Sequence, residues 1–198
     1  EQELPSYCYS FMENNFSGVR SDGTATMEQN GEPMNANFFG QSSFATMAIT
    51  NVRNTIKVSK ELPLETLAPL GCGIQTGAGV VLNSLDVDET SSVAIFGGGA
   101  VGLSALMAAK LVGAAPIVVI EPLADRRALA QELGADHVID PFAVDDVVEE
   151  IQKMVVGVDF SLEMTGIPEV ARQCVDVLKP LGTCALVGAA PLEAEVSL

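Results

Sequence analysis

The residues best placed to do chemistry form a glycine-rich run after the short apolar segment Val93–Phe96. The run comprises Gly97, Gly98, Gly99, Ala100, Val101 and Gly102, and its G-x-G-x-x-G spacing is typical of the turn between a strand and a helix in a nucleotide-binding unit. There the first glycine permits a tight turn, the second lets the backbone approach a diphosphate, and the third lets helix and strand pack closely. The N–H groups at the helix N-terminus would hold the anion. The run predicts a dinucleotide site, and a packing turn that binds nothing is the alternative.

An acidic residue ends the next apolar run. Glu121 follows Gly102 at about the 20-residue spacing from which a carboxylate can accept hydrogen bonds from both ribose hydroxyls of an adenosine. Its negative charge would repel a 2′-phosphate, so the predicted cofactor is NAD. Arg126 and Arg127 lie close enough to bind such a phosphate, so NADP stays the alternative, although a solvent-exposed helix charge is the favoured interpretation of Arg127.

The four cysteines are far apart in the sequence and show no C-x-x-C spacing, so a disulfide framework is not expected. Cys72 lies in a glycine-rich segment that leaves a thiolate room to reach a metal, yet a lone cysteine is more often a buried structural residue. Cys174 and Cys184 lie in apolar surroundings, which predicts small buried side chains.

These residues need a scaffold, and from Ser92 onward short apolar runs alternate with helical periodicity. The order predicts an α/β fold with a doubly wound parallel sheet of the Rossmann type over residues 83–198, incomplete at the C-terminus because five strands are predicted where the full arrangement has six. The predicted strands are Val93–Phe96, Ile117–Ile120, His137–Ile139, Val158–Leu162 and Cys184–Val187; the predicted helices are about Ala100–Leu111, Leu123–Leu133, Val144–Met154 and Pro168–Leu178.

Residues 1–82 have a different pattern and are assigned to part of a mainly-β domain. Residues 1–42 suggest loops with short strands, and β-prone runs follow at Phe44–Ile49 and Thr55–Val58. A glycine-rich helix is expected within Leu64–Leu82. Two adjacent aromatic residues, Phe38 and Phe39, either line an apolar substrate pocket or belong to a core.

Charge and hydropathy narrow the function classes. The chain has 26 acidic and 10 basic residues and a net charge of −16, which repels nucleic acids and anionic membranes alike. The apolar stretch Leu103–Ile120 is interrupted before it reaches the length of a membrane span, and no signal peptide is visible, so a cytoplasmic location is expected. Because the chain starts at Glu1 and ends in a strand-like alternation, we expect a fragment of a longer protein.

Taken together, several segments resemble the zinc-dependent alcohol dehydrogenases of the medium-chain dehydrogenase/reductase superfamily, and the resemblance covers nearly the whole chain. The segments are Leu67–Gly79, Val93–Gly102, Glu121 and Val187–Pro191, while Asn15–Gly18 and Phe39–Ala45 are similar to the aryl (benzyl) alcohol dehydrogenase branch.

The resemblance implies residue roles. Cys72 would be one of three protein ligands of a catalytic zinc, and Cys8 would be the last cysteine of a four-cysteine structural zinc site. The other ligands would precede residue 1. The implied cofactor contacts are Thr76 and Val101 at the nicotinamide, Arg126 near the adenosine, and Val187, Gly188 and Ala189 facing the carboxamide.

The implied reaction is hydride transfer between NAD and a primary, aromatic or allylic alcohol or aldehyde, with zinc as the Lewis acid. The resemblance also implies a GroES-like catalytic domain over residues 1–82, a homo-oligomer at full length and an inactive fragment. Two alternatives remain: a zinc-free reductase of the same superfamily, and an NAD-binding protein without turnover.

Overall fold

The computed structural model describes residues 7–40, 46–191 and 193–197. The chain divides into two compact units, Glu1–Leu62 and Pro63–Leu198. Within the described ranges, no helix is both long enough and apolar enough to cross a bilayer.

In its described part, the first unit contains one short α-helix, one hairpin and a 3₁₀ turn at Val52–Asn54. Helix α1 spans Phe11–Phe16, and strands β1 (Met27–Gln29) and β2 (Glu32–Met34) pair antiparallel. Asn30 and Gly31 join the strands with positive φ angles of 56° and 83°, as a two-residue hairpin turn of type I′ requires.

The two β-prone runs predicted in this unit form no strands where the structure describes them. Phe44 and Ala45 lie outside the described residues, and residues 46–49 and 55–58 are exposed segments without a partner strand. Phe38 and Phe39 are partly exposed, at 54% and 40%, and pack edge-to-face with rings of the same unit, so neither is a core residue.

The glycine-rich segment is broken into pieces rather than forming the single predicted helix. Helix α2 (Leu64–Leu67) runs into a 3₁₀ turn (Ala68–Gly71), and α3 (Gly73–Gly79) continues into a π turn (Val80–Ser84). The break falls at Cys72, whose φ of −141° and ψ of −78° lie outside the helical region. Residues 63–82 thus belong to the second compact unit, whereas the boundary predicted from the sequence lies at 82/83. The assignment of residues 1–82 to a catalytic domain stays a prediction.

A parallel sheet of five strands forms the centre of the second unit, which confirms the predicted fold class. Among the described residues the strand order is β5-β4-β3-β6-β7, which is the order of the first five strands of a Rossmann sheet. The strands are β3 (Val93–Phe96), β4 (Ile117–Ile120), β5 (His137–Ile139), β6 (Val158–Glu163) and β7 (Leu178–Leu186); the helices are α4 (Ala100–Leu111), α5 (Ala124–Glu132), α6 (Val147–Met154) and α7 (Pro168–Asp176).

Strand β7 begins six residues before the predicted Cys184. Its first part, Leu178–Gly182, contains Pro180 and a positive φ of 70° at Leu181, and the β6–β7 register shifts between Val158 and Phe160. Residues typical of turns interrupt the strand pattern, so the start of β7 was not predicted from the sequence.

The core lies on both faces of the sheet. Ile95 of β3 packs with Leu106 of α4 on one face, and Phe96 packs with Ile151 of α6 on the other. Because both faces are covered, β3 and β4 are apolar at every position. Because the strands run parallel, the carboxyl ends of β3, β4 and β6 lie at one edge of the sheet.

Candidate functional site

The turn after β3 depends on the absence of side chains. Gly97 has a φ of +106°, which side chains rarely tolerate, and a Cβ there would lie 3.1 Å from Cγ2 of Thr165. At Gly102 an added Cβ would overlap the carbonyl oxygen of Gly97. The first turn of α4 therefore lies directly against the loop that precedes it.

Open space surrounds Gly99. No atom lies within 4 Å of where its Cβ would be, and no side chain caps α4, whose first turn contains no acidic residue. The first N–H groups of a helix have no intrahelical acceptor. The N-terminus of α4, which begins at Ala100, can therefore receive an anion.

The carboxylate of Glu121 connects this turn to the end of β4. Its side chain is only 3% exposed. Oε2 accepts a hydrogen bond from the Gly98 N–H at 2.7 Å, and Oε1 accepts one from the Leu123 N–H at 2.9 Å. Two bonds leave further lone pairs for other donors. Arg126 on α5 is half exposed, and its Nη1 lies 3.9 Å from Oε2 of Glu121.

The interpretation of Arg127 as a solvent-exposed charge is wrong. Its side chain is only 20% exposed. Nη1 donates to the backbone oxygens of Glu121 at 2.8 Å and Pro122 at 2.6 Å, and Nη2 lies 2.9 Å from Oδ2 of Asp140. The guanidinium turns back onto the end of the sheet because these three acceptors lie together there.

A second buried acid, which the sequence reasoning missed, ends strand β6. Glu163 is 2% exposed, and its Oε1 accepts hydrogen bonds from the N–H groups of Thr165 at 2.6 Å and Gly166 at 2.9 Å, and from the Thr165 hydroxyl. Its backbone oxygen accepts from the N–H groups of Val187 and Gly188, both at 2.9 Å. The sequence did carry a signal, since an acid ends the apolar run of β6 just as Glu121 ends that of β4.

These contacts position the segment Val187–Ala189. A Cβ on Gly188 would overlap the backbone nitrogen of Gly166, and one on Gly166, at a φ of +73°, would lie 2.6 Å from the Ala189 oxygen. The loops after β6 and β7 therefore touch backbone to backbone, beside the glycine turn.

Helix α3 brings Cys72 and Thr76 to the same edge. Cys72 is exposed and immediately precedes α3, and its carbonyl oxygen accepts from the Thr76 N–H at 2.9 Å. A Cβ on Gly77 would overlap the carbonyl oxygen of Val101, and one on Gly73 would lie 3.7 Å from Cβ of Ala100. The start of α3 therefore lies beside the N-terminus of α4.

The described residues do not complete a zinc site. They contain no group of three or more histidine, cysteine or acidic side chains that could hold a metal, whereas a catalytic zinc takes three protein ligands. Cys8, in the first unit, is exposed and free, as is Cys72. His137 begins β5, so it lies at the edge formed by the amino ends of the strands. Cys72 lies beside the opposite edge, formed by their carboxyl ends.

Two of the cysteines contact each other across α7 and β7. Cys174 is buried, as predicted, and Cys184 is partly buried against the same cluster. The hydrogen bond from the Cys174 thiol is the main cause that lowers the pKa of Cys184 to about 7, while burial opposes it. That contact, together with burial, raises the pKa of Cys174.

Known proteins share this architecture. Residues 100–198 match the family described as zinc-binding dehydrogenase. The chain is 50% identical over 186 residues to geraniol dehydrogenase of Castellaniella defragrans, covering 93% of this chain and 50% of that protein. A solved alcohol dehydrogenase zinc-binding domain protein from Burkholderia ambifaria is 49% identical with a TM-score of 0.91, covering 97% of this chain and 52% of that one.

Benzyl alcohol dehydrogenase from Acinetobacter calcoaceticus is 46% identical with a TM-score of 0.88, covering 98% of this chain and 52% of its own. The chain thus spans about half the length of the relatives it matches. The family match, the identities of 46–50% and the shared sheet agree, and the chain belongs to the zinc-binding dehydrogenase family.

Proposed function

We propose that this chain forms the NAD-binding part of a zinc alcohol dehydrogenase that transfers a hydride between NAD and a primary aromatic or allylic alcohol. The buried carboxylate of Glu121 carries the choice of cofactor, because it lies at the end of β4 and is bonded to Gly98 of the glycine turn. A 2′-phosphate brought to this carboxylate would meet a fixed negative charge. The names of the relatives, geraniol and benzyl alcohol dehydrogenase, support the substrate class.

The residues of this chain fit a dinucleotide. The N-terminus of α4 would bind the diphosphate, and the empty space at Gly99 admits it. Glu121 would accept from the ribose hydroxyls, with Arg126 nearby. Bound NAD supplies the hydride acceptor, and the fixed backbone of Val187–Ala189 would orient its carboxamide.

The assignment of zinc rests on the family and on Cys72. The described part of the chain offers only this cysteine near the nucleotide turn. The remaining ligands would come from residues other than those described.

Calorimetry on the 198-residue chain tests the nucleotide assignment. We expect NAD to bind at least tenfold more tightly than NADP, and binding of neither nucleotide would refute the proposal. For the whole protein, metal analysis should give stoichiometric zinc, and benzyl alcohol with NAD should yield NADH. A protein without zinc would be a reductase of the same superfamily, and one that binds NAD without turnover would not be an enzyme.

A further inference from the structure

Arg127 holds together the two strand ends next to the proposed ribose site. Glu121 follows β4 and Asp140 follows β5, and the Glu121 N–H donates to the Ile139 carbonyl oxygen at 3.0 Å. The guanidinium of Arg127 joins both ends, through the carbonyl oxygens of Glu121 and Pro122 on one side and the carboxylate of Asp140 on the other. A planar guanidinium can serve several acceptors at fixed angles in this way.

These bonds hold the turn that supplies one of the two N–H donors to the Glu121 carboxylate. Its Oε1 accepts from the Leu123 N–H, which belongs to the same short turn as the Pro122 carbonyl. The turn is otherwise exposed, with Leu123 at 53%. If the turn shifts, the Leu123 N–H moves with it, and the carboxylate loses one of the two donors that hold it beside the glycine turn.

Arg127 is also unsuited to bind a phosphate. Nη1 and Nη2 both face protein oxygens, and Asp140 neutralises the charge. By contrast, the guanidinium of Arg126 is 52% exposed beside Glu121. The two adjacent arginines therefore have different roles.

We propose that Arg127, together with Asp140, is a positioning residue that fixes the carboxylate of Glu121 and thereby sets the preference for NAD over NADP. The inference rests on the proposed function. This role predicts the opposite effect on NADP binding from a simple charge attraction. If Arg127 attracted a 2′-phosphate, its removal would weaken NADP binding. If Arg127 positions Glu121, its removal relaxes the discrimination against NADP.

The experiment compares Arg127→Leu, Arg127→Lys and Arg172→Leu in the 198-residue chain. Arg172→Leu is the matched control, because it removes an Arg–Asp pair at 2.8 Å on α7, away from the turn. Calorimetry gives Kd for NAD and for NADP, and hydrogen exchange reports the protection of the Gly98 amide, which donates to Glu121.

We expect Arg127→Leu to lower the ratio Kd(NADP)/Kd(NAD) at least fivefold and to reduce protection of the Gly98 amide at least tenfold. Arg127→Lys keeps the charge but not the planar fork, and should shift both quantities in the same direction. Arg172→Leu should change neither.

An unchanged or increased ratio in Arg127→Leu, with a wild type that prefers NAD, overturns the inference and leaves the proposed function standing. A wild type that binds neither nucleotide refutes the proposed function instead. In that case, hydrogen exchange of the Gly98 amide still tests whether Arg127 positions Glu121. Unchanged protection of this amide in Arg127→Leu would refute that positioning.

Discussion

One substitution, Gly99→Val, should separate nucleotide binding from folding. The backbone at Gly99 has a φ of −78° and a ψ of −171°, an extended conformation that valine adopts readily, and nothing lies within 4 Å of its Cβ position. The folded state should therefore gain no clash. We expect unfolding free energy to change by less than about 1 kcal/mol, which shifts the Tm by no more than about 2–4 °C in a chain of this size.

The effect on NAD should be much larger. The branched side chain would occupy the space through which a diphosphate reaches the first N–H groups of α4. A hydrogen bond to a charged group contributes about 1.5–3 kcal/mol, so the loss of a single such bond weakens binding about 12- to 160-fold. Calorimetry with NAD measures this loss, and thermal unfolding followed by circular dichroism measures stability.

Gly102→Val is the matched control, because its Cβ would overlap the Gly97 oxygen and lie 3.0 Å from the Gly97 carbonyl carbon. Overpacking of this kind costs about 1–3 kcal/mol, so we expect a Tm about 2–12 °C lower. NAD binding by Gly99→Val within threefold of the wild type would contradict the role of the glycine turn in binding the diphosphate, and so would a destabilisation as large as that of Gly102→Val.

Three further predictions concern other residues of the second unit. Glu121→Ala should weaken NAD binding and relax discrimination against NADP, and it should also destabilise the chain by about 1–3 kcal/mol because the Gly98 N–H loses its acceptor; unchanged cofactor preference in calorimetry would contradict this assignment. Alkylation of Cys184 by iodoacetamide should accelerate as the pH rises through about 7, where its thiolate forms, and Cys174→Ala should move that midpoint to higher pH by removing the thiol that stabilises the thiolate; a midpoint near 9 in both proteins would show that the contact has no such effect. The 198-residue chain should not oxidise benzyl alcohol with NAD and added zinc, because Cys72 is the single residue of the chain proposed as a ligand of the catalytic zinc; zinc-dependent turnover well above background would overturn that assignment.

The strands at the centre of the sheet, which are buried on both faces, were predicted correctly from the sequence. Val93–Phe96 and Ile117–Ile120 are apolar at every position because both sides of the sheet are packed, and their bounds agree with the structure. Gly97 and Glu121 were predicted as site residues from short-range features alone. A tight turn requires a glycine, and an acid directly after an apolar strand is visible in the sequence. Local patterns of this kind are visible without knowledge of the neighbouring strands.

Contacts between distant segments were not predictable in the same way. The environment of Arg127 depends on Asp140 at the end of a neighbouring strand, and a charge on a helix surface gives no sign of such a partner. Glu163 ends an apolar run as Glu121 does, but its backbone oxygen accepts from the N–H groups of Val187 and Gly188 after β7, and the end of β6 alone does not predict these contacts. A single helix was predicted within Leu64–Leu82, and its break at Cys72 was not. The backbone of Cys72 leaves the helical region where α3 begins to pack on α4.

The close approach of Gly77 to Val101 has a mechanical consequence. With no side chain between them, the backbones of α3 and α4 are in direct contact at this point, so neither helix can move toward the other without displacing it. Thr76 and the proposed metal ligand Cys72 therefore lie at the start of a helix that packs directly on the helix of the nucleotide turn. The distance between the proposed metal ligand and the nucleotide turn would therefore depend on this backbone contact, and a larger residue at position 77 would alter it by forcing the two helices apart.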